Sequence, residues 1–424
     1  MAKLWGFNPC IEKAERHVCL TVARPRARCV VSLPAGRVGL DRLEAVDIIM
    51  HDKTSDSVAL ARKLVQFSSL NPPGEEKACA DYLAQLLSQS GLEVELHEFA
   101  PGRPSMVARL RGTEDLKPLV FTGHLDVVPL GEKPWSSPPF AAEIRDGRLI
   151  GRGSSDMKSG VAAFVTATIA QAKRSKPVRG ITLVITAGEE TGCEGAFHLA
   201  KIGALGTAEL LIVAEPTSNR PVIAHKGSVR LRITAKGKSA HSSMPELGDN
   251  AVYKVVEWIA LIKALSFERQ SHPLLGSTTA AVTTVSGGQN INSVPDSASF
   301  TVDFRTVPSH HHRELVAEIQ RLCSDEAAIE VVTDFKGFAT VPDHSAIKPL
   351  MTILQDRLGS RPDPMGAPYF TDASALVPGF DDAATVVIGP GEAAQCHQTD
   401  EFCYVHRIDE AFEIYTALIR RMCE

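Results

Sequence analysis

The sequence predicts an α/β protein: a mostly parallel-sheet domain with helices on both faces, interrupted by an inserted α+β domain. Three observations predict it. Four apolar runs of strand length, Leu119-Val120-Phe121, Ile181 to Ile185, Leu210 to Ala214 and Ala384 to Ile388, are separated by helical patterns, which argues for parallel βαβ units. Between Glu215 and about Phe338 the buried runs give way to strict alternation, the mark of strands with one wet face. The chain has 424 residues, 44% hydrophobic and 22% charged, an ordinary folded composition, long enough for two or three domains at roughly 100–200 residues each.

The same arithmetic narrows the function. A sequence pI near 6.3, with 45 basic against 50 acidic residues, gives no general attraction to nucleic acid or anionic lipid, so neither is expected as a partner. No apolar run approaches the ~18–20 residues of a membrane span. Nine scattered cysteines without a C-x-x-C pair fit a reduced cytosol, each read first as a small buried apolar residue. A cytoplasmic location is the expectation.

Taken in order, residues 1–49 carry eight basic residues, three of the cysteines and no sustained period. They are expected to form an N-terminal extension outside the fold, translated upstream of a start at Met50. An organelle transit segment is the competing reading; Glu12, Glu15, Asp41, Glu44 and Asp47 count against it, because such segments are poor in acids. From Thr54 the apolar positions Val58, Ala61, Leu64 and Val65, then Tyr82, Leu83, Leu86 and Leu87, recur at helical spacing and frame the loop Asn71-Pro72-Pro73-Gly74.

The residues at the ends of the four apolar runs carry the chemistry. The first run opens into Thr122-Gly123-His124-Leu125-Asp126, the second into Gly188-Glu189-Glu190, the third into Glu215-Pro216-Thr217, and the fourth reaches His397 after a Gly-Pro-Gly turn. Ligands of an open α/β sheet bind outside the carboxyl ends of its strands, so these distant groups can share one crevice. Asp156, in Gly153-Ser154-Ser155-Asp156-Met157-Lys158-Ser159-Gly160, precedes a helix and joins them. Singly, each has a plainer explanation. A lone Asp after a Gly-rich turn caps a helix, the Glu pair is a solvated helix start, and either histidine satisfies a local hydrogen bond. Collected on one edge, Asp126, Asp156, Glu189, Glu190 and Glu215 repel one another unless cations neutralise them. That implies bound metal, and imidazole with carboxylate suits zinc, with cobalt or manganese as substitutes. Rival motifs fail: Gly151-Arg152-Gly153-Ser154-Ser155-Asp156 has Asp where a dinucleotide fingerprint needs its third Gly, and the chain has neither a phosphate loop nor a nucleophile elbow.

These residues resemble the metal-dependent aminoacylase, acetylornithine deacetylase, succinyl-diaminopimelate desuccinylase and carboxypeptidase G family. The resemblance runs from about Thr54 to the C-terminus. It is carried by Gly123-His124-Leu125-Asp126-Val127-Val128-Pro129, the Asp156 segment, Gly188-Glu189-Glu190, Ala214-Glu215-Pro216-Thr217 and His397-Gln398-Thr399-Asp400-Glu401. It is closest to the acetylornithine deacetylase and succinyl-diaminopimelate desuccinylase branch, through Ala224-His225-Lys226-Gly227, Ser239-Ala240-His241-Ser242-Ser243 and Gly389-Pro390-Gly391. The resemblance implies two divalent ions, one on His124, Asp156 and Glu215, the other on Asp156, Glu190 and His397, with Asp156 bridging. It implies Asp126 as the carboxylate that orients the His124 imidazole, Glu189 as general base, and a cis peptide at Asp156-Met157.

The inserted segment alternates in two stretches: Val229, Leu231 and Ile233 with Arg230, Arg232 and Thr234, and Phe300, Val302 and Phe304 with Thr301, Asp303 and Arg305. Helical stretches from Asp249 to about Leu265 and from Ser309 to Cys323 complete the order strand, helix, strand, strand, helix, strand, a ferredoxin-like arrangement. The expected division is residues 1–49 outside the fold, 50–224 and 338–424 in the metal-binding catalytic domain, and 225–337 in the insertion. By the resemblance the insertion is a lid that also makes a homodimer contact. His241 would polarise the scissile carbonyl, where an ordinary loop histidine is the alternative. Asn292 and Arg305 would hold the substrate's carboxylate, where pairing of Arg305 with Asp303 is the alternative. The expected activity is removal of an acetyl or succinyl group from a small N-acyl amino acid. The rivals are a carboxypeptidase or dipeptidase on the same scaffold, and a silent binding protein that keeps the fold.

Overall fold

A computed structural model of the chain describes residues 55–268 and 271–424. The expectation for residues 1–49 lies outside the described residues. Helices α1 (Asp56–Val65) and α2 (Lys77–Gln89) lead into a hairpin of β1 (Glu93–Ala100) and β2 (Arg103–Leu110). The Ser55 hydroxyl caps α1 by accepting the Val58 N–H at 3.4 Å, and Val58, Ala61, Leu64 and Val65 are buried along one face. Next come β3 (Leu119–His124), the short pair β4 (Glu143–Arg145) and β5 (Arg148–Ile150), then α3 (Ser159–Arg174). Beyond α3 lie β6 (Ile181–Thr186), α4 (Glu194–Lys201), β7 (Leu210–Val213) and β8 (Val222–His225).

The chain then builds a second sheet from β9 (Gly227–Lys236), α5 (Ala251–Lys263), β10 (Thr279–Gly287), β11 (Ser297–Thr306), α6 (His312–Cys323) and β12 (Ala328–Phe335). It returns through β13 (Phe338–Ala339), α7 (Lys348–Leu358), β14 (Met365–Ala367), α8 (Ala373–Gly379), β15 (Ala384–Val387), β16 (Phe402–Tyr404) and α9 (Val405–Cys423). No helix among the described residues is long and apolar enough to cross a membrane.

The large sheet runs β1-β2-β6-β3-β7-β15-β8-β13, with β14 beside β8. Its centre, β6-β3-β7-β15, is parallel throughout, and these are the four apolar runs of the sequence. The flanking pairs β1-β2, β2-β6, β15-β8 and β8-β13 are antiparallel, and β14 lies parallel to β8. The runs are continuous because both faces are covered: Phe121, Leu183 and Ile212 pack with α1, α3 and α9, while Val120, Val184 and Leu211 pack with α4 and α8.

The second sheet, β10-β11-β9-β12, is antiparallel. Val229, Leu231 and Ile233 of β9 and Phe300, Val302 and Phe304 of β11 bury one face against α5 and α6. Two adjacent crossings join the sheets, β8 into β9 at residues 225–227 and β12 into β13 at residues 335–338. A Cβ on Gly227 would lie 2.5 Å from the Phe335 carbonyl oxygen, and one on Gly337 2.6 Å from that of His225, so both positions require glycine.

His225 marks this crossing. It is fully buried, its Nδ1 lies 3.0 Å from the Lys226 carbonyl, and its Nε2 has no partner among the described residues. Burial pushes its pKa down to about 4. An unfolded chain therefore binds this proton below about pH 6.5 while the folded chain does not, so the stability it confers is complete above that value and is lost as pH falls towards 4. Urea unfolding of the metal-free protein and of His225→Leu should show the loss, on the order of 3 kcal/mol, in the wild type alone. Parallel pH profiles for the two proteins would refute the assignment.

Candidate active site

The carboxyl ends of the central strands open on one edge of the sheet. Strand β3 ends in His124, β6 leads into Gly188-Glu189-Glu190, β7 into Glu215, and the segment after β15 reaches His397. Asp156 lies in the irregular turn Ser154–Lys158 ahead of α3, and its peptide bond to Met157 is cis.

Asp156 sits between two imidazoles. Its Oδ1 is 3.2 Å from His124 Nε2 and its Oδ2 is 3.4 Å from His397 Nε2. Glu215 Oε1 lies 3.7 Å from the first of these nitrogens, and Glu190 Oε2 lies 3.1 Å from the second. The structure thus brings His124, Asp156, Glu190, Glu215 and His397 together as two sets that share Asp156.

Whether this set suits a cation can be read from the tautomer of His124. Its Nδ1 lies 2.9 Å from the Asp126 carbonyl oxygen, which can only accept, so Nδ1 carries the proton. The Nε2 lone pair then faces the oxygens of Asp156 and Glu215, which is repulsive unless a proton or a metal ion lies between. Protons meet that need at a cost. Burial opposes charging His124, yet hydrogen bonds to Asp126 and Asp156 hold it well above the usual imidazole range. Hydrogen bonds to Asp156 and Glu190 push His397 up to about 10. Burial would raise Asp156, but its bonds to both imidazoles outweigh that and hold its carboxyl far below the usual range. A divalent ion does the same work with one charge centre, and His124, Asp156 and Glu190 offer atoms within 4.8 Å of one another. The donors fit a metal.

Glu189 lines the same cavity, of about 340 Å³, together with Arg305, Tyr369 and Phe370. Burial, then the charges of Glu215, Glu190 and Asp372, raise its carboxyl well above the ordinary range. Asp126 is fully buried and fixes the turn that carries Glu189. Its Oδ1 accepts the Glu189 N–H at 3.2 Å, and its Oδ2 accepts the Glu190 N–H at 3.1 Å and Asn71 Nδ2 at 2.8 Å. Its carboxylate is 3.5 Å from His124 Nδ1, so the carbonyl makes the shorter contact to the imidazole.

Two supporting residues are not evident from the sequence. Glu401, fully buried, accepts the N–H groups of Gly153, Ser155 and Asp156 at 3.0, 2.8 and 3.0 Å, and Arg152 Nη1 at 2.7 Å. It thereby clamps the turn that presents Asp156. Its only signal is its place at the end of the His397 motif. Asp372 lies at the start of α8, and its side chain makes no cap bond.

The insertion contributes unevenly. Arg305 lines the cavity 5.5 Å from the Phe370 ring while pairing with Asp303 through Nε and Nη2, both at 3.1 Å. Arg305 thus both faces the cavity and makes the Asp303 pair. His241 and Asn292 are exposed and do not line the cavity. His241 Nδ1 lies 2.8 Å from the Ser243 hydroxyl.

Fold and site together define an α/β protein whose sheet edge carries a carboxylate and imidazole centre able to hold metal, as in a metallohydrolase. The chain belongs to Peptidase family M20/M25/M40, whose model matches residues 120–421. It is 30% identical over 403 residues to a Staphylococcus epidermidis protein named as a probable succinyl-diaminopimelate desuccinylase, covering 86% of this chain and 98% of that one. Its fold is similar to that of aminopeptidase PepT from Bacillus cereus, with a TM-score of 0.70 at 23% identity over 86% of this chain and 97% of that one. A metallo-carboxypeptidase from Sulfolobus solfataricus, Sso-CP2, is likewise similar in fold, with a TM-score of 0.71 at 18% identity over 87% and 99% of the two chains.

Removing Glu401 would leave Arg152 buried without its carboxylate, and breaking such a pair costs about 3–5 kcal/mol. Glu401→Ala should lower stability by that order in urea unfolding of the metal-free protein. Wild-type stability would show that the pair does not hold the Asp156 turn.

Proposed function

We propose that the chain is a two-metal amidohydrolase that removes the N-acyl group, succinyl or acetyl, from an amino acid. The observation that carries this reading is the placement of the two Asp156 oxygens, each facing one imidazole, with Glu189 beside them in the same cavity. The name of the Staphylococcus relative favours a succinyl-diaminopimelate substrate over acetylornithine. His124, Asp156 and Glu215 would hold one ion and Asp156, Glu190 and His397 the other, with zinc suiting the donors best and cobalt or manganese as substitutes. When bound, the ions polarise the amide carbonyl and acidify the attacking water.

The protein's own groups do the rest. The Glu189 carboxylate takes a proton from water and delivers it to the departing nitrogen, in a buried setting that favours its protonated form between the two transfers. Asp126, through its bonds to the Glu189 and Glu190 amides, fixes the backbone from which this carboxyl projects. Arg305 grips the substrate's carboxylate with parallel N–H groups, in exchange for part of its bond to Asp303. Tyr369 and Phe370 line the cavity as apolar walls against water. His241 polarises the carbonyl and Asn292 assists carboxylate binding; being exposed on the insertion, they serve the site of a partner subunit in a homodimer. The enzyme works in the cytoplasm on a small molecule, with no part played by nucleic acid or membrane.

A carboxypeptidase or dipeptidase would use the same groups, and Arg305 would read a peptide's terminal carboxylate equally well. N-succinyl-diaminopimelate, N-acetylornithine and a dipeptide panel, assayed side by side, should rank in that order, and preference for dipeptides would reverse the assignment. Glu189→Ala should abolish turnover and leave the two equivalents held around Asp156 nearly unchanged; loss of either instead would place Glu189 among the ligands of those two sites. As pH falls towards ~4 the carboxylate ligands protonate, so metal should dissociate on acidification, and occupancy that stays flat to that point would contradict carboxylate-rich coordination.

A further inference from the structure

Glu189 belongs to a second group that amide hydrolysis does not use. Cys193 and Asp372 are buried and do not line the cavity, whereas Glu189 does. The Cys193 sulfur is 3.8 Å from Glu189 Oε1. One carboxylate oxygen each of Glu189 and Asp372 lies with this sulfur in a triangle with no side longer than 4.8 Å. Asp372 is 2% exposed; its Oδ2 accepts the Thr186 hydroxyl at 2.5 Å, while among the described residues its buried Oδ1 has no hydrogen-bond partner of ordinary geometry, the Cys193 thiol lying beside this carboxylate. A buried carboxylate oxygen without a donor is costly, and helix capping does not account for it here. A sulfur and two carboxylates within 4.8 Å of one another, with one Asp372 oxygen unsatisfied, make a donor set suited to a cation.

We propose that Glu189, Cys193 and Asp372 form a third cation site, separate from the two sets joined by Asp156, which takes a thiophilic divalent ion such as zinc or cadmium. Binding breaks the S–H bond of Cys193 and forms a sulfur–metal bond. The proton passes to solvent, and nothing is oxidised or reduced. The sulfur sets the selectivity: thiolate favours zinc, whereas magnesium and manganese prefer oxygen donors and gain little. The consequence for activity rests on the reading of Glu189 as general base, because an ion held at the third site occupies the carboxylate that must take the proton. Zinc beyond two equivalents therefore inhibits.

The full-length protein, loaded first with two equivalents of zinc, can be titrated with cobalt(II) while thiolate-to-cobalt charge-transfer absorption, bound metal and turnover are followed. The wild type should take up a third equivalent, develop the band and lose turnover together. Cys396→Ser, which alters a cysteine that lines the cavity, should still develop the band. Cys193→Ser should lose the band. Third-site affinity should fall in Cys193→Ser and Asp372→Asn by more than the roughly 10–100-fold that loss of a mere supporting group costs. Absence of a third equivalent, or a band that survives in Cys193→Ser, overturns the site; a band without inhibition overturns the regulatory role. Turnover that persists in Glu189→Ala would instead remove the base assignment, and the band is read independently of it.

Discussion

Asp156 is held where two imidazoles and three glutamates converge, and the crowding of buried negative charge there is the constraint the surrounding structure answers. Like charges at such separations in a low-dielectric site cannot all remain ionised without cations or protons. The supporting groups are arranged accordingly. Asp126 is spent on backbone amides that fix two of the glutamates. Glu401, itself balanced by Arg152, is spent on the amides that present Asp156. Each acid added to stiffen the centre is matched by N–H groups or a guanidinium, so stiffness is gained without enlarging the central excess of charge.

Most of this core could be read from the sequence, for a physical reason. Strands covered on both faces must be apolar throughout, so Phe121, Leu183 and Ile212 announced their strands without help from neighbours. A polar residue just beyond such a strand has few places to go but the sheet edge. The one-sided sheet of the insertion was legible for the complementary reason, since only its inner face carries Val229, Leu231 and Ile233.

Supporting residues were less legible because their meaning is held by partners distant in sequence. Glu401 shows its role only beside Arg152 and the 153–156 amides, nearly 250 residues before it in the chain. Asn71 reads as part of a proline turn until its amide is found on Asp126. Asp372 mimics a helix cap yet makes no such bond. His241 and Asn292 illustrate the opposite difficulty: their motifs were easy to see, but a single chain leaves them at the surface, away from the cavity.

The paired glycine crossings have a mechanical consequence. Only these two adjacent strips of backbone, pinched together at Gly227 and Gly337, join the insertion covalently to the large sheet. A twist applied at one strip is transmitted at once to the other. Arg305, paired across the sheet with Ser228, sits beside this pivot, so any turn of the insertion about the glycines would leave Arg305 nearly in place and carry His241 and Asn292 much farther.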